Sequence, residues 1–260
     1  MKSEPPDFVP LWLLFAGMCV VSGLAIEAGY RLGGWRRART TEEKETPVGA
    51  MVGSILALFA FLLAFTFGLA AERYEARKRI ILDEANAIGT AYLRTRLLPE
   101  PQGTESSRLL REYVDVRVRA IQDGRIAEAV IRSEALHGLL WNQAVEAARV
   151  RPNEITATYI QALNALIDMH GVRIQVGLRG RIPSVIWLGL TALAVLSMAS
   201  VGYQAGLSAT RRSPAMLVLV LAFSGVVFLI ADLNNPLEGF LTVSQEALHD
   251  LQASMKADER

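Results

Sequence analysis

The sequence predicts an all-α membrane protein with four transmembrane helices and a helical extramembrane domain between the second and third. Three observations predict it. Four long runs carry no charged residue: Phe8 to Ile26, Thr46 to Ala71, Ile182 to Thr210 and Ser213 to Ala231. A helix needs about 20 apolar residues to cross a hydrocarbon core of about 30 Å, and each run is close to that length or longer. Over its 260 residues the chain is 52% hydrophobic, and its mean hydropathy of +0.28 is high for a soluble domain. No segment shows the two-residue alternation of a half-buried strand.

The first span covers about 9–28. It reads as a span and not as a cleaved leader, because its start is acidic and proline-rich (Glu4, Pro5, Pro6, Asp7). Arginines follow it where a small-residue cleavage site would belong. Arg31 to Arg37 reads as a basic loop, with Trp12, Tyr30 and Trp35 placed as interfacial aromatics. Pro47 suits the start of the next helix. The second span covers 50–71, and nothing stops it at the membrane edge. From Glu72 to Leu98 there is no proline and a single glycine, Gly89, among many good helix formers. The pattern predicts one helix of nearly fifty residues, about 70 Å long at ~1.5 Å per residue. Pro99, Pro101 and Gly103 end it.

The helical domain covers 72–181. Three further periodic segments follow in it: Ser106 to Gln122, Ile126 to Val150 and Ile155 to Gln175. Asp123-Gly124 marks the first turn, and Asn153 is placed as an N-cap after Pro152. The third span covers about 183–204 and the fourth 214–233, where Asn234-Asn235-Pro236 breaks the helix. The C-terminal tail, 234–260, contains a short amphipathic stretch from Val243 to Leu251.

Composition excludes several classes. The net charge of +1 and pI of about 7.9 give no reason to expect nucleic acid. A single cysteine, Cys19, excludes an intrachain disulfide or thiolate cluster. No phosphate-binding glycine loop, His-Glu-x-x-His or Gly-x-Ser-x-Gly occurs. His137, His170 and His249 are far apart in sequence, and neither they nor Asp83 and Glu84 show metal-ligand spacing. No catalytic residue, metal site or cofactor is expected. Four spans put the helical domain and both termini on one side. Lys and Arg are divided too evenly between the two sides to orient the chain.

Four segments carry a resemblance: Leu56 to Lys78 (LALFAFLLAFTFGLAAERYEARK), Asp83 to Glu100 (DEANAIGTAYLRTRLLPE), Gly202 to Ser208 (GYQAGLS) and Leu229 to Gln245 (LIADLNNPLEGFLTVSQ). Together they resemble a bacterial family of bestrophin-like membrane proteins. The order of elements, two spans, a helical insert and two spans, is similar to that of bestrophin ion channels. The resemblance implies a homo-oligomer, pentameric by analogy, in the bacterial inner membrane. It also implies a pore on the second span, inorganic ions as the permeant species, and the helical domain and both termini in the cytoplasm.

The second helix suggests where a pore would lie. At about 100° per residue, Ser54, Phe65 and Gly68 fall within about 40° of Phe61. The same stripe continues through Glu72, Glu75, Arg79, Asp83 and Asn86. Around a symmetry axis, Phe61 and Phe65 would form apolar rings that gate by dewetting. Glu72 and Glu75 would form acidic rings at the mouth, which favour cations, with Arg79 and Asn86 in the vestibule. The opposite face carries Thr66, Arg73, Arg77 and Glu84 and would lean towards anions. The stripe Asn86, Thr90, Arg94 suits contact with another helix or an aqueous vestibule. Glu27 and Asp232 are ionisable residues near membrane depth, where a charge needs a partner. Glu27 has Arg31 four residues on. Asp232 either binds an ion or caps the chain before Pro236, with Arg179 or Arg181 in reach. A membrane-anchored sensor or scaffold, its helical domain binding a ligand or partner without conductance, is the alternative to a channel.

Overall fold

The structure, a computed structural model, describes residues 10–39, 45–178, 180, 182–210, 213–235 and 239–258. Among them are eight α-helices and no strand. They are α1 (Leu11–Arg39), α2 (Glu45–Thr95), α3 (Gln102–Gln122), α4 (Ile126–Val150), α5 (Glu154–Arg173), α6 (Ser184–Leu207), α7 (Pro214–Asn234) and α8 (Glu246–Ala257). A π-helical turn, Ile174–Leu178, follows α5. Four helices are long and apolar enough to cross a membrane: α1, α2, α6 and α7.

Two differences from the sequence reading stand out among the helix boundaries. Arg31 to Arg37 is not a loop but the last turns of α1. No proline interrupts it, its terminal arginines suit the negative end of the helix dipole, and Arg39 lies 4.1 Å over the Trp35 ring. Gly103 ends nothing: it sits in the first turn of α3, where a Cβ would come within 2.8 Å of the Thr95 carbonyl oxygen. The helix before it closes at Thr95, ahead of Pro99.

The chain divides into two compact units. The first comprises Met1–Tyr74 and Arg181–Thr242. Its core joins Phe59, Leu63 and Ala70 of α2 to Leu190, Ala194 and Met198 of α6 and to Val220, Val227 and Ile230 of α7. Phe59 stacks on Phe223 with ring centroids 4.8 Å apart. The tightest packing is α1 against α6. Gly29 and Gly33 of α1 meet Gly202 and Gly206 of α6, and backbone faces backbone across the crossing. A methyl group at Gly29 or Gly202 would overlap the opposing main chain, at Ala199 and Ile26 respectively. Between membrane helices, where apolar burial against lipid contributes little, such close approach supplies the dispersion contacts that hold the pair. The Ser213 hydroxyl accepts the Ala215 amide at the start of α7. At its end, Asn234 Oδ1 accepts the Ile182 amide at 2.9 Å, which ties the end of α7 to the approach to α6.

The second unit comprises Glu75–Gly180 and Val243–Arg260. The C-terminal tail therefore packs with the helical insert: Leu248 and Met255 of α8 enter the core formed by Ile88, Tyr113, Leu136, Leu140, Leu163 and Leu166. Leu251 Cδ1 would lie 3.4 Å from a Cβ at Gly89, so the glycine on α2 is where α8 comes close. Gln252 donates to Asp115 at 2.6 Å, and Arg96 pairs with Asp258. Asn153 caps α5 by accepting the Thr156 amide at 3.0 Å.

Valine at Gly29 or Gly202 should lower stability by about 1–3 kcal/mol, or prevent folding, since neither backbone can retreat without unpacking the helix. Alanine at Gly17 or Gly53, which face open space, should leave the melting temperature within about 2 °C. Thermal unfolding of detergent-solubilised protein, with size-exclusion profiles, measures both.

Candidate functional site

Helix α2 runs unbroken for 51 residues and has two different faces. The stripe predicted from the sequence is bare along its length. Ser54, Phe61, Phe65, Gly68, Glu72, Glu75, Arg79, Asp83 and Asn86 are all exposed. Phe61 is 66% exposed and Phe65 59%, high values for large aromatics in a packed chain. The opposite face is packed. Phe59, Thr66, Ala70, Arg77, Glu84, Ile88 and Ala91 are buried. Thr66 returns its hydroxyl to the Leu62 carbonyl at 2.7 Å. The face that would have leaned towards anions is therefore occupied by intrachain packing. In the stripe Asn86, Thr90, Arg94, the first two residues are exposed, while Arg94 donates to the Thr158 carbonyl of α5.

The two ionisable residues near membrane depth have protein partners. Arg31 Nε donates to Glu27 at 2.8 Å. Glu27 and Tyr30 lie on an apolar groove of about 290 Å³ between α1 and α7, which Cys19, Met216 and Val220 also line. Asp232, 1% exposed, closes the turn after α7 by accepting the Phe240 amide at 2.8 Å and the Leu241 amide at 3.1 Å. Gly239 sits at φ +148° against that carboxylate, where a Cβ would overlap it. Arg179 and Arg181, the partners considered from sequence, lie outside the described residues.

A second arrangement was not foreseen from the sequence. Glu84 of α2 is fully buried in the helical unit and faces two guanidiniums. Arg173 of α5 bonds one carboxylate oxygen. Arg117 of α3 lies 3.0 Å from the other, an ion pair whose N–H is not aligned as a hydrogen bond. The Tyr113 hydroxyl donates to the Glu84 carboxylate at 3.3 Å and lies 3.4 Å from His170 Nδ1. His137 of α4 packs edge-on to His170 with centroids 4.8 Å apart, and 5.2 Å from the Tyr113 ring. Burial and the nearby carboxylate raise the Tyr113 phenol above its usual range. Burial also lowers the Arg173 guanidinium, although Glu84 opposes that effect. Among the described residues no group of His, Cys, Asp and Glu is arranged to hold a metal ion.

Four helices of spanning length and apolarity, with a separately packed helical unit, define the class: an all-α membrane protein. A family model described as the bestrophin-like domain matches residues 18–248, and the chain belongs to the bestrophin-like family. Family and apolar helices together fit a family of membrane channels. Comparison with curated proteins and with solved structures gave no match.

Glu84→Gln should destabilise the helical unit by about 3–5 kcal/mol, because it strands two guanidiniums in a buried site. Glu72→Gln and Glu75→Gln should stay within about 0.5 kcal/mol of the parent. Hydrogen exchange of peptides from α3, α4 and α5 in increasing urea measures the difference.

Proposed function

We propose that the chain is one subunit of a homo-oligomeric ion channel in a bacterial inner membrane, with the pore lined by the bare stripe of α2. The observation that carries this reading is that one face of α2 stays uncovered from Ser54 to Asn86 while the opposite face is packed. The uncovered stripe passes from Phe61 and Phe65 to Glu72, Glu75 and Arg79 without changing face. A purely lipid-facing stripe has no need to stay in register with a charged one beyond the apolar segment. A pore wall does, because both must face the axis. Copies of α2 around that axis set Phe61 and Phe65 as apolar constrictions, which gate by dewetting. Glu72 and Glu75 form acidic rings beyond them, so cations are the favoured permeant ions. Five subunits and a cytoplasmic helical unit are part of the proposal, by analogy with bestrophin channels.

The test is single-channel recording of purified protein in a planar bilayer under a KCl gradient. Phe61→Ala or Phe65→Ala should raise unitary conductance or open probability. Glu72→Gln with Glu75→Gln should move the reversal potential away from that of potassium. Absence of current from folded, oligomeric protein, in the parent and in both alanine variants, would favour a membrane-anchored scaffold whose helical unit binds a partner.

A further inference from the structure

The polar cluster in the helical unit holds more cationic than anionic groups. Its single carboxylate, Glu84 on α2, faces Arg117 from α3 and Arg173 from α5. Tyr113 of α3 occupies the space between Glu84 and His170, so neither imidazole bonds the carboxylate. His137 and His170 are 8% and 4% exposed, and the Nε2 atom of each is buried with no hydrogen-bond partner. Around the rings, α2 supplies Glu84, α3 supplies Tyr113 and Arg117, α5 supplies Arg173, and α4 supplies Glu134, which is solvent-exposed. A proton on either ring would add a buried cation beside two others, with no acceptor at Nε2 and one carboxylate already shared.

We propose that His137 and His170 form a proton-operated latch, which keeps α4 and α5 packed on α2 and α3 while both rings are neutral and loosens them when either is protonated. The sign follows from linkage. Burial, the other histidine and Arg117 hold His137 down at about 4, and burial and Arg117 lower His170. The loosened state therefore binds more protons. Packing is complete above the ordinary imidazole value of about 6.5. It weakens as pH falls from there to about 4, and further acid adds little through His137. The latch does not depend on whether the protein conducts. Glu84 belongs to the helix that also carries Phe61 and Phe65.

The test uses full-length protein in nanodiscs. Hydrogen exchange of peptides from α4 and α5, corrected for intrinsic rates, is measured from pH 7.5 to 4. Protection should fall by up to about tenfold per pH unit for each histidine that titrates. The double variant His137→Gln, His170→Gln should flatten this response, and His249→Gln, which alters the exposed histidine of α8, should keep it. An unchanged loss of protection in the double variant would overturn the proposal. If the double variant does not fold, imidazole titration of histidine-labelled wild type decides. Midpoints for His137 and His170 below that of ordinary imidazole, coincident with the loss of protection, support the latch. Midpoints at or above it overturn the proposal.

Discussion

One feature of α2 runs through both units: one of its faces packs into a core in each, and the other is exposed from Ser54 to Asn86. One side contributes to both cores, through Phe59, Leu63 and Ala70 in the first unit and Ile88 and Ala91 in the second. The other side contributes to neither. Polar groups on the packed side are accommodated by different means in the two units. Thr66 bonds back to its own helix, as a hydroxyl in an apolar span must. Glu84 lies beyond the charge-free run and instead gathers guanidiniums from two other helices.

That difference reflects the solvent each unit competes with. In the first unit, lipid is as apolar as the side chains it would replace, so burial of leucine contributes little to association. Backbone contact at Gly29, Gly33, Gly202 and Gly206 takes its place, and Asp232 and Asn234 accept main-chain amides at the end of α7 and the approach to α6. In the helical unit, water drives apolar burial, and the core of leucines from α3, α4 and α5 is of the ordinary soluble kind. A charged cluster in that core is weak evidence for stability, because its desolvation cost is comparable to its attraction. What it adds is discrimination: Glu84 is satisfied only when α3 and α5 both stand in the right register.

The sequence is most informative where the signal is local. Charge-free runs of spanning length locate the four spans, and the absence of proline between Glu72 and Leu98 fixes the continuity of α2, because both are properties of consecutive residues. Periodicity groups Phe61, Phe65, Glu72 and Glu75 on one stripe of α2, but phenylalanines at 59, 61, 65 and 67 surround the helix and alone could not choose a face. The structure separates them: Phe59 is fully buried and Phe61 bare. Features made by distant segments were not legible. Gly29 and Gly33 read as ordinary glycines until α6 brings Gly202 and Gly206 against them. His137 sits among Leu136, Leu140 and Ala144 on an apolar stripe, and Glu84 among Ile80, Ile81 and Ala85. A polar residue embedded in a buried stripe is a usable signal that a partner exists. It does not say which one, since a helical period carries no information about the helix across the core.

The buried ionic cluster at Glu84 has a mechanical consequence within the helical unit. Glu84 on α2 is held by Arg117 from α3 and Arg173 from α5, so a shift of either helix past α2 changes how the carboxylate is paired. A switchable element needs two arrangements of similar energy. The electrostatically crowded cluster at Glu84 is better suited to supply one than the backbone-on-backbone crossing of α1 and α6, where a shift of either helix forfeits close contact along the crossing. On this argument the adjustable part of the molecule is the helical unit, and the α1–α6 pair is the fixed frame within the first.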